Sequence, residues 1–373
     1  MRKVKLTDLC TPKQWKTIPT TSLLNEGYPV YGANGIIGYY SEYNHEFPVI
    51  AITCRGATCG TINITKPNSY ITGNAMCLDN IIGDVDLRYL YYCLLHVDFK
   101  DVISGSAQPQ ITRQGLEKLT ISICPLSVQK DIVRVLDRIK TLIDLRKREL
   151  TLLDDLIKAR FIEMFGDLAD PACKWEKCKL IDACVNSDDI KCGPFGTQLG
   201  KDEYAMEGVA VWEIPQINSE FKTLPTHFVT QKKAEELDSY SIIPGDIAMS
   251  RKGNVGRCAV FPLGFENGII HSDVLRIRLD KTKVLPEFMT RQLHYSGDIQ
   301  HQIEMVSSGA IMAGINVTKL KHISVYLPPI GLQDKFVSFV SQIDKSKVVV
   351  PSKIKNAIFA IMLSVSFGQI TSI

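Results

Sequence analysis

The chain lacks most of the marks by which an enzyme or a membrane protein declares itself. No apolar run approaches the roughly 20 residues of a membrane-spanning helix. The N-terminus, MRKVKLTDLC, starts basic but has no apolar stretch behind it, so no secretory signal is expected. A reducing, cytoplasmic setting follows, and the eleven cysteines are expected to be free thiols filling small gaps in the core. Neither C-x2-C nor a paired H-x3-H spacing occurs, so no metal is expected. The nearest approach to a phosphate-binding loop, Gly196 to Lys201, fails on spacing. Pro328–Pro329 lacks the preceding Asn or Asp of a base-methylating site, and the seven histidines form no HExxH pair. The carboxylate pairs Asp188–Asp189 and Glu235–Glu236 read as solvated faces. No catalytic residue is assigned. A net charge of +3 decides nothing alone, since a DNA binder concentrates its cations on one face.

What the chain does have is an internal repeat. VKLTDLC from Val4 matches CKLIDAC from Cys178, and AITCRGATCG from Ala51 matches AMSRKGNVGR from Ala248. The segment from Ser104 aligns without a gap on that from Ser308, pairing Ile111 with Ile315, Leu116 with Leu320, Pro125 with Pro329, Gln129 with Gln333 and Ile139 with Ile343. The matches keep one order while their offset grows, so the second copy carries insertions. Within each copy, short β-branched runs alternate with Gly, Pro and Asn turns, the pattern of an irregular mixed sheet.

Each copy ends in a long helix. Ile132, Leu136, Ile139, Ile143, Arg146, Leu150, Leu153 and Ile157 recur at alternating steps of four and three. Phe336, Val340, Ile343, Lys347, Val350, Ile354, Ala357 and Ile361 do the same. Such a heptad seam predicts a coiled coil. The first helix leaves one domain and the second returns from the other, so the pair is expected to run antiparallel, each over about 45 Å, with the domains at opposite ends. Pro351 interrupts the second seam and predicts a break there. Polar Arg146 and Lys347 either snorkel to solvent or fix the register. The expected fold is α+β: mixed-sheet domains over 1–126 and 167–330, with helices over 127–166 and 331–373.

This organisation resembles the DNA specificity subunit of type I restriction–modification systems. YPVYGANGIIGYYSEYN from Tyr28 and CGPFGTQLGKDEY from Cys192 look like the openings of target-recognition domains. SGSAQPQI resembles the loop before the conserved helix, and KARFIEMFGD resembles the join to the second domain. The resemblance implies a non-catalytic subunit. It would read a bipartite double-stranded DNA site, one half per domain, with the helices setting the spacer and binding two methyltransferase subunits. Restriction subunits would join the full complex; S-adenosylmethionine, ATP and Mg would sit on the partners, leaving this chain without a cofactor.

Base and phosphate contacts call for Arg, Lys, Asn, Gln and hydroxyl side chains on loops. The first-copy candidates are Tyr31, Asn34, Tyr39, Arg55, Thr58, Asn74, Gln108, Gln110 and Arg113. Those of the second are Phe195, Gln198, Arg251, Lys252, Asn254, His271, Ser272, Asp273, Ser307, Ser308 and Asn316. Arg55 and Lys252 stand out because each follows an apolar strand and precedes a matched glycine. Two other readings stay open on the sequence alone: a coiled-coil interaction protein with two small ligand-binding domains not involving DNA, and a single-chain nuclease or methyltransferase. Co-purification with methyltransferase subunits and salt-sensitive DNA binding would separate them.

Overall fold

The computed structural model describes residues 2–33, 35–105, 109–170, 172–307 and 314–347. The chain divides into two compact units, with the division between Lys147 and Arg148. Among the described residues, no helix is long and apolar enough to cross a membrane.

In the first unit, strand Arg2–Lys5 pairs antiparallel with Thr120–Ile123, setting Val4 opposite Ile121. A four-stranded antiparallel sheet runs in the order Thr11–Gln14, Ala75–Asp79, Ile50–Thr53, Ile62–Ile64. A three-stranded sheet holds Gly35–Tyr40, Tyr28–Gly32 and Tyr70–Ile71, the last two parallel. Strand residues alternate between faces, and both faces of the four-stranded sheet are buried. Ile50, Ile52, Met76 and Leu78 enter one core with Leu90, Leu116 and Ile132. The smaller Ala51, Ala75 and Cys77 enter another with Tyr31 and Ile71. Burial on both sides is why AMCLD and IAIT read as continuous apolar runs.

The second unit repeats this plan. Glu176–Lys179 pairs with Ser324–Leu327, setting Cys178 opposite Val325. Its main sheet runs Ile190–Cys192, Val274–Ile277, Ile247–Ser250, Cys258–Val260. Again large side chains (Ile247, Met249, Leu275) take one face and Ala248 and Ala259 the other. The companion sheet gains a strand, Ser241–Ile242, beside Gly268–Ile270. The helices Ile214–Asn218 and Gln231–Glu236 lie in the same stretch. The larger increase in offset, the one between the first and second matches, falls there.

A pair of buried glutamines shows how closely the copies agree. The Gln129 amide donates to the carbonyls of Asp84 and Cys124, each at 2.8 Å, and its oxygen accepts from Asp86 N–H at 2.9 Å. The Gln333 amide donates to Lys283 (3.1 Å) and Pro328 (2.7 Å), and its oxygen accepts from Leu285 N–H (2.9 Å). Both side chains are fully buried. Each ties the first turn of a long helix to the entry of the short helix Leu87–Leu95 or Pro286–Tyr295.

The long helices begin one residue earlier than the sequence reading places them. The first spans Leu126–Phe165, 40 residues, or about 60 Å at 1.5 Å per residue. It is therefore longer than the seam alone suggests. Its start packs into the first unit through Ile132, Val133 and Leu136. Its end packs into the second through Ile157, Phe161 and Phe165. The seam is therefore not one uniform helix–helix contact: Ile132 and Leu136 belong to their own domain's core. Between the ends, Ile139, Ile143, Leu150 and Leu153 are only half-buried.

The second helix is described over Ile330–Lys347. Phe336 and Val340 are buried in the second unit, with Ile343 packed against them. Phe336 meets Phe161 and Phe165 at ring distances of 5.5 and 5.6 Å, Arg160 lies 5.8 Å from the Phe339 ring, and Lys347 Nζ reaches Asp154 Oδ1 at 2.7 Å. Residue numbers rise along one helix as they fall along the other, so the two run antiparallel here. Lys347 also bonds Asp344 at 2.8 Å, so its ammonium meets a carboxylate from each helix. Val350, Pro351, Ile354, Ala357 and Ile361 lie outside the described residues.

Candidate nucleic-acid interface

In the first unit the loop after Ile50–Thr53 is held by its backbone. Cys54 N–H donates to the Asn74 carbonyl (3.1 Å), and the Cys54 carbonyl accepts from Ile111 N–H (3.0 Å). Arg55 bridges to Gln110, and Gly56 N–H donates to the Pro109 carbonyl (3.1 Å). At φ 86° Gly56 occupies backbone space that other residues reach only with strain.

The second unit repeats the stitch. Arg251 N–H donates to the Asp273 carbonyl (2.8 Å), and the Arg251 carbonyl accepts from Ile315 N–H (3.1 Å). Hence Cys54 corresponds to Arg251, Arg55 to Lys252, Asn74 to Asp273, and Ile111 to Ile315. The alignment read from sequence slips only at the loop's end. Gly60 N–H donates to the Thr53 carbonyl, whereas Gly256 rather than Arg257 does so to Ser250. The second loop is one residue shorter.

The side chains differ. Around the first loop a concavity of about 330 Å³ is lined by Pro12, Lys13, Gln14, Arg55, Met76, Gln110, Ile111, Thr112 and Arg113. It gathers three cations and no carboxylate. Arg113 opens a short helix whose cap is Thr112, its hydroxyl accepting from Gly115 N–H at 3.1 Å. Among the described residues Arg55 makes no ion pair. Lys13 and Gln14 were not among the sequence candidates. Lys13 Nζ lies 3.7 Å from the centre of the Trp15 ring, and the Gln14 amide donates to the Gly73 carbonyl at 2.9 Å. Their only sequence signal is their place directly after VKLTDLC, on a strand whose pairing the sequence does not give.

In the second unit Lys252 is paired with Asp273 at 2.8 Å. Arg251 donates from Nε to the Ile315 carbonyl (3.2 Å) and lies 4.9 Å from the Phe195 ring, so the guanidinium is positioned between backbone and aromatic face. Phe195 is there because Gly193 lets the chain pass. A Cβ at Gly193 would meet the Ile270 and His271 carbonyl oxygens at 2.3 Å. His271 Nδ1 accepts from Asp273 N–H at 3.2 Å, which places a neutral ring's proton on Nε2.

Two expected contacts do not reach solvent. Tyr31 is buried in the inter-sheet core, its hydroxyl accepting from Lys66 N–H at 3.0 Å. A large ring on a strand facing a second sheet is worth more in the core than on a loop. Ser307 is also buried, its hydroxyl donating to the Glu304 carbonyl at 2.8 Å. Tyr39 is exposed but lies on the strand Gly35–Tyr40, outside the concavity. Thr58 is half-buried in the loop's turn, its carbonyl accepting from Thr61 N–H at 3.0 Å. The Gln198 side-chain oxygen accepts from Phe195 N–H (3.0 Å) and Tyr240 O–H (3.1 Å). Asn254 is exposed and Ser272 half-buried. Asn316 is exposed and caps the helix Val317–Leu320. Asn34, Gln108 and Ser308 lie outside the described residues.

The comparisons with known proteins agree with the repeat. The model of the type I restriction modification DNA specificity domain matches residues 1–154 and again 189–359. A putative type I restriction enzyme specificity subunit of Haemophilus influenzae is 24% identical over 339 residues, covering 88% of this chain and 83% of its own length. A putative MjaX specificity subunit of Methanocaldococcus jannaschii is 24% identical over 294 residues, covering 75% of this chain and 66% of its own. The crystal structure of an S subunit from M. genitalium shares the fold at a TM-score of 0.59, with 16% identity, 97% of this chain covered and 93% of that one. A chain from a structural study of type I R-M complex assembly matches at 0.52, with 15% identity and 97% and 96% coverage. With two family matches spanning most of its length, the chain belongs to the type I restriction–modification DNA specificity family, and its part is to recognise DNA sequence, not to catalyse.

Proposed function

We propose that each unit reads one half of a bipartite double-stranded DNA site through the loop centred on Arg55 or Lys252. The observation that carries this reading is the shared backbone stitch, which presents a cation at the same place in both copies, with three cations and no carboxylate around the first. Cations on a concave loop surface suit phosphate, and arginine also suits a guanine edge. The antiparallel helices set the spacer and dock two methyltransferase subunits, and restriction subunits complete the assembly. S-adenosylmethionine, ATP and Mg belong to those partners.

The test is methylome sequencing of a host carrying this chain with its methyltransferase, joined to binding assays on split targets. The expected result is a bipartite motif with adenine marks. Arg55→Ala should weaken binding by about 1–3 kcal/mol, and only where the first half-site is present. Equal loss on DNA carrying either half-site alone would overturn the two-reader arrangement.

A further inference from the structure

A second cluster in the first unit sits beside the strand that presents Lys13. Cys77 and Asp79 alternate on Ala75–Asp79 and so project from one face, and in the sheet Lys13 lies opposite Cys77. His45, from the segment after Gly35–Tyr40, folds over them, its Nε2 3.0 Å from Asp79 Oδ1. The donor atoms of His45, Cys77 and Asp79 all lie within 4.8 Å of one another. The histidine and aspartate side chains are only 10% and 13% exposed, and Cys77 is fully buried.

The hydrogen bonds around the cluster fix its polarity. Asn44 donates from Nδ2 to the Ile71 carbonyl (3.0 Å) and accepts at Oδ1 from Ile71 N–H (2.9 Å). Its amide cannot be flipped without losing both bonds. His45 Nδ1, 2.7 Å from that same Oδ1, must therefore be the donor. In the neutral ring the lone pair is then on Nε2, pointing at a carboxylate that is itself an acceptor. Asp79 Oδ2 is meanwhile taken by Trp15 Nε1–H at 3.1 Å. The two polar ligands thus have their outer atoms engaged and their inner atoms facing each other. This is the arrangement by which outer-shell bonds orient histidine and carboxylate ligands toward a metal.

From this geometry we infer a site for a zinc-class divalent cation, held by His45 Nε2, Cys77 Sγ and Asp79 Oδ1. One nitrogen, one sulfur and one oxygen suit a borderline-soft ion. Tetrahedral bonds of about 2.0–2.3 Å place ligand atoms about 3.3–3.7 Å apart, so the sulfur has to close by only about 1 Å. A water completes the set, entering from the adjoining cavity of about 500 Å³ lined in part by Thr11, Trp15 and Glu46. Binding releases the Cys77 thiol proton to solvent. The ion ties the His45 segment to the strand paired with Lys13 and so braces one wall of the first loop's concavity. Sequence spacing gives no hint of it, because His45 comes from a loop 34 residues before Asp79, on the strand that also carries Cys77.

The test uses the full chain, stripped with chelator and titrated with Co(II). One equivalent should bind with a thiolate-to-cobalt charge-transfer band, and zinc should displace it. Cys77→Ser should abolish the band and His45→Gln should weaken binding by at least about tenfold, while Cys93→Ser leaves both unchanged. Failure of the wild-type chain to hold one equivalent, or a band that persists in Cys77→Ser, overturns the site. So does nitrogen NMR of the wild-type chain showing both His45 ring nitrogens protonated and unmoved by zinc, the signature of a plain imidazolium–carboxylate pair.

Discussion

The two units share one backbone and differ in how they spend their charge. At the matched loop the first offers Arg55 with no ion pair among the described residues, and Asn74 in the neighbouring position. The second offers Lys252 at 2.8 Å from Asp273. If these loops meet DNA as proposed, it would have to displace that carboxylate or accept a partly neutralised cation, so the same loop would be an open contact in one unit and a gated one in the other. The cores diverge as well. Where Ile132 begins the first helix's buried face, the aligned residue of the second is Phe336, set among Phe161, Phe165 and Phe288.

The strongest way to break this comparison is through that aromatic cluster. Phe161→Ala is expected to cost the second unit about 3–5 kcal/mol, seen by hydrogen exchange as lost protection after residue 148 and little change in the sheets of the first. The glutamines should behave alike instead. Gln129→Ala and Gln333→Ala each orphan buried backbone groups, worth about 1–3 kcal/mol apiece, so each should lower unfolding midpoints by a similar amount. Markedly unequal losses would mean that the copies are not equivalent at their helix entries.

Acid separates the units further. Burial, with Arg257 and Arg291 nearby and Glu220 opposing, holds His294 down to about 4, and its Nε2 accepts from Cys258 N–H at 3.2 Å. The unfolded chain binds this proton more readily, so stability is present above about pH 6.5 and is lost as pH falls toward 4. The matching helix of the first unit, Leu87–Leu95, contains no histidine. Unfolding followed against pH should show the second unit losing about 1–2 kcal/mol more, and His294→Gln should flatten that limb. The smallest effect sharpens the loop comparison. Asp273→Asn gives the second loop the first one's residue, and should strengthen DNA binding modestly while steepening its salt dependence by about one unit of slope.

Much of this was legible in the sequence, and the limits have physical causes. The repeat, its order and the helix starts were readable because apolar period and turn residues are local signals. The pairing of Ile111 with Ile315, made by alignment, is the pairing the hydrogen bonds make. The loop's final slip at Gly256 was invisible, since a one-residue deletion between glycines leaves the letters nearly matched. Tyr31 could have served loop or core, and only the second sheet decides. Lys13 and Gln14 became part of the concavity through strand pairing across more than sixty residues, which no local pattern records.

The loops at Cys54 and Arg251 are anchored through main-chain atoms, and those atoms are the same whatever the side chain. One copy carries a thiol at this point and the other a guanidinium, with the anchor unchanged. A surface fastened in this way can be relettered residue by residue while its frame stands still. If these loops read DNA as proposed, new targets could then arise by substitution on a fixed scaffold, without a new fold having to be found for each.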